Sequence, residues 1–376
     1  MAAMPEKVGR YFLQEELGSG GMGTVYKAYT PAGDPVAVKL IRRDQLEEAT
    51  RLRFEREAAI AKALVATNRV ARFLEADPFA DQPWMAMEYV PGRTLRDHVE
   101  AEGPLPPLLV ASLGALLAEG LDAAHRADLV HRDLKPQNVM LGADGPVIID
   151  FGLGAFTVPG PADQDSLSHQ GLVIGSIRCM PPEQAAGNPQ VTSAADVYGL
   201  GAVLLYAAAG CYAYDGASWD ELRGRLVDPA TAPDLGALPT SLRPLVSWML
   251  AQNPQDRPTL DQVAEHCGEL IGAVGLTPVD ARLLLMSRTA PQLEPVPELT
   301  ESLQRRLEQA EAEPAVADDA AETAGNPQDS YDQLAMPLAP ATDREPEPGT
   351  ARAVRVPASR RIADTLRREY AAATRL

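Results

Sequence analysis

Alternating apolar and polar positions open the chain. Residues 11–17 read as a strand, Gly18-Ser19-Gly20-Gly21-Met22-Gly23 as a turn and residues 24–29 as a returning strand. A second turn, Pro31-Ala32-Gly33-Asp34-Pro35, delivers the apolar run Val36-Ala37-Val38-Lys39-Leu40, which has strand length. Residues 51–64 carry helical spacing, with Phe54, Ala58 and Ala61 on one face. Two strand-like stretches follow, the second over 84–90 and ended by Pro91-Gly92. Beyond that point the period becomes helical. A long apolar helix is predicted over 108–125, broken only by Gly114 and Gly120. Short strands at 139–141 and 147–149 flank the turn Gly142-Ala143-Asp144-Gly145, and further helices are predicted at 196–209, 219–227, 241–251 and 260–273. A small β-rich part followed by a larger helical part predicts an α+β, two-lobed chain.

The 376 residues, 45% hydrophobic and 23% charged, hold one two-lobed domain or two smaller ones. The run 197–214 has no charged residue, but Asp196 and Asp215 bracket it closely, which favours a buried core helix over a membrane span. Past about Arg288 the composition changes. Between Glu294 and Pro348 there are fourteen acidic residues against Arg305, Arg306 and Arg344, with many Pro and Ala, so a linker over 289–350 is expected to be mostly disordered. Leu299, Leu303 and Leu307 lie four apart and fit one short helix within it. The stretch 352–376 reverses sign, with seven arginines against Asp364 and Glu369. Ile362, Leu366 and Tyr370 four apart make it a basic amphipathic helix, read as a solvated tail or as a docking element for a partner protein or the acidic linker, ahead of a membrane surface. A net charge of −18 argues against nucleic acid as a partner. Cys179, Cys211 and Cys267 fit neither a disulfide framework nor a metal site, and residues 1–11 lack the apolar region of a secretory signal. The expected location is therefore a reducing cytoplasm, with no membrane insertion.

The chemistry is concentrated in a few strings. Gly18-x-Gly20-x-x-Gly23 between two strands suits phosphate approach by backbone N–H groups. It is not a dinucleotide-binding turn, which opens a helix, and it lacks the Lys-Ser/Thr ending of a P-loop. Lys39, alone, reads as a solvated strand-end lysine. His131-Arg132-Asp133-Leu134-Lys135-Pro136-Gln137-Asn138, followed by Asp150-Phe151-Gly152, changes that reading. Phosphoryl transfer needs divalent metal, a cation on the nonreacting phosphates and a carboxylate aimed at the attacking hydroxyl. Asp133, Asn138 and Asp150 supply hard oxygen ligands and a base, and Lys135 brings positive charge beside the transferring group.

Taken in their order and spacing, Gly18 to Tyr26, Val36 to Lys39, His131 to Asn138 and Asp150 to Gly152 resemble the eukaryotic-type (Hanks-type) serine/threonine protein kinases of the bacterial branch, over roughly residues 11–270. The resemblance implies a protein kinase domain over 11–272, with a small lobe at 11–90 and a large lobe at 91–272. It implies ATP and Mg²⁺ (with Mn²⁺ as the substitute) as cofactors and protein substrates. By residue, it implies that Lys39 binds the α- and β-phosphates and pairs with Glu57, Glu55 being the alternative. Asp133 accepts the proton of the substrate hydroxyl, Lys135 steadies the γ-phosphate, and Asn138 and Asp150 hold the metal. The residues of the glycine turn, Gly18, Ser19, Gly20, Gly21, Met22 and Gly23, cover the phosphates. Met87 is implied as gatekeeper, Glu88-Tyr89-Val90 as the adenine-reading hinge, and Leu17, Val25, Ala37 and Met140 as the purine sandwich. Glu183 is implied to form a buried ion pair with Arg257, and Asp196 to hold the catalytic-loop backbone.

Lys135 two residues after Asp133 favours Ser or Thr as acceptor. The chain departs from the family pattern at Ser176, where Thr is usual, at Cys179, where an aromatic is common, and at Pro181, where Ala is usual. These departures bear on acceptor choice. Arg132 suits control by a phosphorylated activation segment, whose hydroxyls are Thr157, Ser166, Ser168 and Ser176; autophosphorylation at Ser166 or Ser168 is the expectation. The competing readings are a pseudokinase scaffold and a small-molecule phosphotransferase of the same fold. The first usually loses the Lys39, Asp133 or Asp150 equivalent, and the second usually lacks the Pro-Pro-Glu element.

Overall fold

The structure is a computed structural model, and it describes residues 6–20, 23–41, 67–151, 177–188, 191–291 and 305. Two compact units divide the chain, Met1–Pro295 and Val296–Leu376; apart from residue 305, the described residues belong to the first. The predicted helix at 51–64, the linker segment 292–304 and 306–350 and the basic stretch at 352–376 fall outside them.

The small lobe is an antiparallel sheet of six strands in the order β1-β2-β3-β4-β6-β5, made by Lys7–Val8, Tyr11–Gly20, Gly23–Tyr29, Pro35–Ile41, Phe73–Asp77 and Trp84–Glu88 (β5 and β6 being the last two). Alternation along β2 and β3 puts Tyr11, Leu13, Tyr26 and Ala28 on one face, where Val36, Val38, Leu40, Trp84 and Ala86 complete a core. The other face carries Ala37, Ile41, Met85 and Met87. β2 and β3 stay paired to the last residues before their turn, Gly20 opposite Gly23. At Gly23, φ is +153° and a Cβ would collide with the Leu40 carbonyl oxygen, so only glycine fits.

The large lobe begins with β7 (Arg93–Thr94) and α1 (Leu95–Glu102), which Thr94 caps by accepting from the Asp97 N–H. α2 (Pro107–His125) is the longest described helix. It is apolar enough by length and composition to cross a membrane, but eleven of its residues are buried against other helices of the lobe. A 3-10 turn, Pro136–Asn138, leads to β8 (Val139–Gly142) and β9 (Gly145–Ile148), which with β7 form a second, three-stranded sheet. α3 (Pro182–Ala185) precedes α4 (Ala194–Ala209), in which every residue from Ala195 to Ala208 is buried and which ends at Gly210 in the left-handed region. α5 (Trp219–Val227), α6 (Arg243–Met249) and α7 (Leu260–Gly272) follow.

One more helix, α8 (Pro278–Thr289), follows α7 where the periodicity predicts none. A capping box, Thr277 with Asp280, starts it, and Ala281 and Leu285 join the large-lobe core.

Gly120 shows why α2 carries a helix-weakening residue. A Cβ there would stand 2.7 Å from Cβ of Arg69, whose own loop lies against the helix. Gly→Ala inside a helix ordinarily stabilises by about 1 kcal/mol. Here Gly120→Ala is expected to lower stability instead, read as a reduced urea midpoint at unchanged slope.

Candidate active site

Asp196, in the first turn of α4, organises the catalytic loop. Its carboxylate, 1% exposed, accepts from the backbone N–H of His131 at 2.8 Å and of Arg132 at 2.8 Å, and bonds Nε2 of His125 at 2.7 Å. Three charge-assisted bonds and the positive end of the helix offset the desolvation of a buried carboxylate. They also hold Arg132 at φ +62°, a conformation that a long side chain rarely adopts. Gln184 of α3 adds a bond from Nε2 to the Arg132 carbonyl at 3.1 Å. Sequence reasoning had no signal for His125 or Gln184 as partners of this loop.

His131 is fully buried and locked by two bonds. Nδ1 accepts from the Asp133 N–H at 3.2 Å, and Nε2 lies 2.9 Å from the Ile149 carbonyl, a pair satisfied together only by the Nε2–H tautomer. The Phe151 ring packs edge-on against the imidazole with centroids 4.6 Å apart. The loop thus ties to the strand end that carries Asp150.

The Asp133 carboxylate accepts from Nζ of Lys135 at 2.7 Å, both side chains remaining partly open to the cleft. Asn138 donates from Nδ2 to the Asp133 carbonyl at 2.8 Å, which leaves Oδ1 as the oxygen that could hold a metal. Asp150, at φ +65°, accepts from Nζ of Lys39 at 2.8 Å across 111 residues of sequence. Burial pushes the Asp150 carboxyl up, but the charge and hydrogen bond of Lys39, with His131 and Lys135, outweigh it and hold the group below its ordinary value. Asp150 therefore stays ionised and Lys39, on central strand β4, points its ammonium into the cleft. Glu57 and Glu55, the partners expected for Lys39, lie outside the described residues, as do Gly21, Met22, Gly152, Thr157, Ser166, Ser168 and Ser176.

The roof and walls of the cleft come from the small lobe. Gly18, Ser19 and Gly20 end β2, with Ser19 and Thr24 hydroxyls 3.2 Å apart across the hairpin. A Cβ at Gly18 or Gly20 would meet nothing within 4 Å, so packing does not require glycine at either place. The bare backbone leaves room for a ligand. Val25 and Ala37 lie on adjoining strands; Met87 is paired opposite Ala37, and Leu17 is 44% exposed with no core to join. Met140 on β8 is half-buried below. Of the hinge residues, Glu88 ends β6 and exchanges bonds with the Arg72 backbone, while Tyr89 lies under Nζ of Lys27 at 5.0 Å and Val90 is half-buried. A cavity of about 360 Å³ is lined by the segment 87–91, Asp150 and Phe151 together with Thr67, Val70 and Gly142, and Leu17, Val25, Ala37 and Met140 do not line it. That volume lies within the range of small-molecule sites.

Glu183 and Arg257 meet below the catalytic loop. Both guanidinium ends donate to the carboxylate, at 2.8 and 2.7 Å, and the remaining donors reach the carbonyls of Ala194, Ala251 and Gln252. Cys179 is buried, and burial pushes its thiol up to about 12, so it is unreactive filler.

Residues 11–267 match the family described as the protein kinase domain. The chain belongs to the protein kinase family. The kinase domain is 42% identical over 271 residues to the probable serine/threonine-protein kinase PkwA of Thermomonospora curvata, covering 70% of this chain and 35% of that protein. It is 38% identical over 271 residues to the serine/threonine-protein kinase AfsK of Streptomyces coelicolor, covering 72% and 33%. Among solved structures, a cysteine-to-alanine variant of the Mycobacterium tuberculosis PknI kinase domain aligns with TM-score 0.56 and 26% identity, over 71% of this chain and 99% of that one. This kinase chain spans about a third of the length of PkwA and AfsK.

Proposed function

We propose that the chain is a serine/threonine protein kinase that transfers the γ-phosphoryl group of ATP to Ser or Thr hydroxyls of protein substrates, itself among them. The observation that carries this is the joining of the Asp133–Lys135 pair, Asn138 and the Lys39–Asp150 pair in one cleft, under a turn whose glycines packing does not demand.

Asp133 orients the acceptor hydroxyl and takes its proton as the oxygen attacks phosphorus and the bond to the ADP oxygen breaks. Lys135, already 2.7 Å from that carboxylate, offsets the charge of the transferring group. Lys39 turns from Asp150 to the nonreacting phosphates. The Asp150 carboxylate and Asn138 Oδ1 are hard oxygens suited to Mg²⁺, or Mn²⁺ in its place, which when bound neutralises phosphate charge. Met87 and the hinge 88–90 face the base, with Leu17, Val25, Ala37 and Met140 about it.

Arg132 beside the base supports control by phosphorylation, for which Ser166 and Ser168 are proposed as sites and Thr157 and Ser176 as the other hydroxyls. The basic stretch 352–376 is proposed to dock a partner protein, on its sequence pattern. A cytoplasmic location belongs to the same reading, supported by three free thiols, Cys179, Cys211 and Cys267.

Incubation of the full chain with radiolabelled ATP, Mg²⁺ and a generic basic protein, followed by phosphoamino-acid analysis, tests the reading. Phosphoserine and phosphothreonine are expected, with labelling lost in Lys39→Met. Wild-type protein that binds nucleotide yet labels nothing would make the chain a scaffold.

A further inference from the structure

We propose that Arg69 and Arg282 are positioning residues of the catalytic cleft, through which α8 braces loop 67–72, β9 and hence Asp150. The catalytic readout of this proposal rests on the kinase reading above.

Loop 67–72 enters the small lobe at β5, yet it is hydrogen-bonded to the large lobe. Ile148 N–H donates to the Arg69 carbonyl at 2.7 Å, Ala71 N–H donates to the Ile148 carbonyl at 2.9 Å, and Val70 bridges Ile148 in parallel. Ile148 ends β9, two residues before Asp150. The position of the loop is therefore passed to the carboxylate that holds Lys39.

Arg69 is 6% exposed, and its Nη1 donates to the Asp144 carbonyl in the β8–β9 turn at 2.9 Å. Nη2 of Arg282, from α8, donates to the same carbonyl at 3.1 Å. One backbone oxygen thus joins the loop to a helix 138 residues away from the turn. Arg282 is held from both sides, since its neighbour Ala281 and Leu285 one turn on are fully buried in the core. Two glycines give way to Arg69. A Cβ on Gly120 would press its Cβ, and a Cβ on Gly145, at φ +110°, would stand 2.9 Å from Nη1.

Two guanidinium groups on one carbonyl repel each other. Burial, and then the charge of Arg282, hold Arg69 below its ordinary value, while Glu119 and Asp144 act the other way. Closing a hairpin needs no such pair, because the glycine at position 145 already forms the turn. What the pair adds is a link from α8, which lies past the family match ending at residue 267, to the strand that delivers Asp150.

The test compares full-length wild type, Arg282→Met and Arg282→Lys. Three quantities are read: affinity for Mg²⁺ with a nonhydrolysable ATP analogue by calorimetry, steady-state kcat and KM for ATP and for the acceptor, and the melting temperature. Arg282→Met is expected to weaken nucleotide affinity and kcat/KM for ATP by about threefold to tenfold, the span typical of coupling through a packed network. The acceptor KM and the melting temperature should stay near wild type, and Arg282→Lys, which keeps a donor for the Asp144 carbonyl, should recover most of the loss. Unchanged affinity in Arg282→Met overturns the brace, as does equal impairment of the lysine variant. Wild type that binds the analogue but transfers no phosphate, with affinity still reduced in Arg282→Met, supports the brace and removes the kinase reading. Wild type that binds no nucleotide removes both.

Discussion

Asp133→Asn is expected to cut phosphoryl transfer by about 10²- to 10⁴-fold, the usual contribution of a positioned general base, while nucleotide affinity and melting temperature stay close to wild type. The reason lies in how the loop is held. Asp133 contributes to loop geometry through its backbone, with the N–H on His131 Nδ1 and the carbonyl on Asn138 Nδ2. The carboxylate accepts from Lys135, and both side chains lie partly open in the cleft. Asparagine keeps the shape and can still accept from Lys135, but it takes no proton. Single-turnover transfer measured beside nucleotide binding separates the two effects. Transfer within about tenfold of wild type would deny Asp133 its role as base.

The largest effect on stability is expected at Arg257. Its side chain is fully buried, all its guanidinium donors are used, and it stacks over the Tyr198 ring with the cation 5.0 Å from the centroid. Arg257→Met leaves the Glu183 carboxylate, 10% exposed, and the carbonyls of Ala194, Ala251 and Gln252 without these donors. Breaking one side of a buried pair costs about 3–5 kcal/mol, a fall of roughly 10 °C in melting temperature for a domain of this size. Removing both charges, Arg257→Met with Glu183→Leu, should recover part of the loss, because no ion is then stranded. A single variant that melts within about 2 °C of wild type would show the pair to be dispensable.

The fold was legible because its signals are local. Strand alternation and glycine turns outline the small lobe, and Trp219–Val227 is a helix over the very residues that periodicity predicts. The strand predicted to run to residue 90 stops at Glu88, since the hinge backbone leaves the sheet there, and the helix predicted over 241–251 is the shorter Arg243–Met249. Three helices were passed over, of which α3, with four residues, is too short to show a period. α1 has only eight residues, three of them buried, so its periodicity is thin. α8 does carry a start signal, Thr277-Pro278-Val279-Asp280, but Leu283 and Leu284 are exposed beside buried Leu285, which blurs its apolar face. The residues proposed to bear the chemistry were picked out by motif and by the family resemblance, whereas their partners could not be. Nothing local ties Lys39 to Asp150, Arg69 to Asp144 or His125 to Asp196, because these contacts depend on how lobes and helices pack.

The three bonds to Asp196 bear on protein engineering. The loop that carries Asp133 takes its shape from a carboxylate on a helix whose residues from Ala195 to Ala208 are all buried. Grafting residues 131–138 onto another scaffold would carry over the letters without the conformation. A working transplant has to bring the first turn of α4, and with it enough of the interior to keep that turn in place.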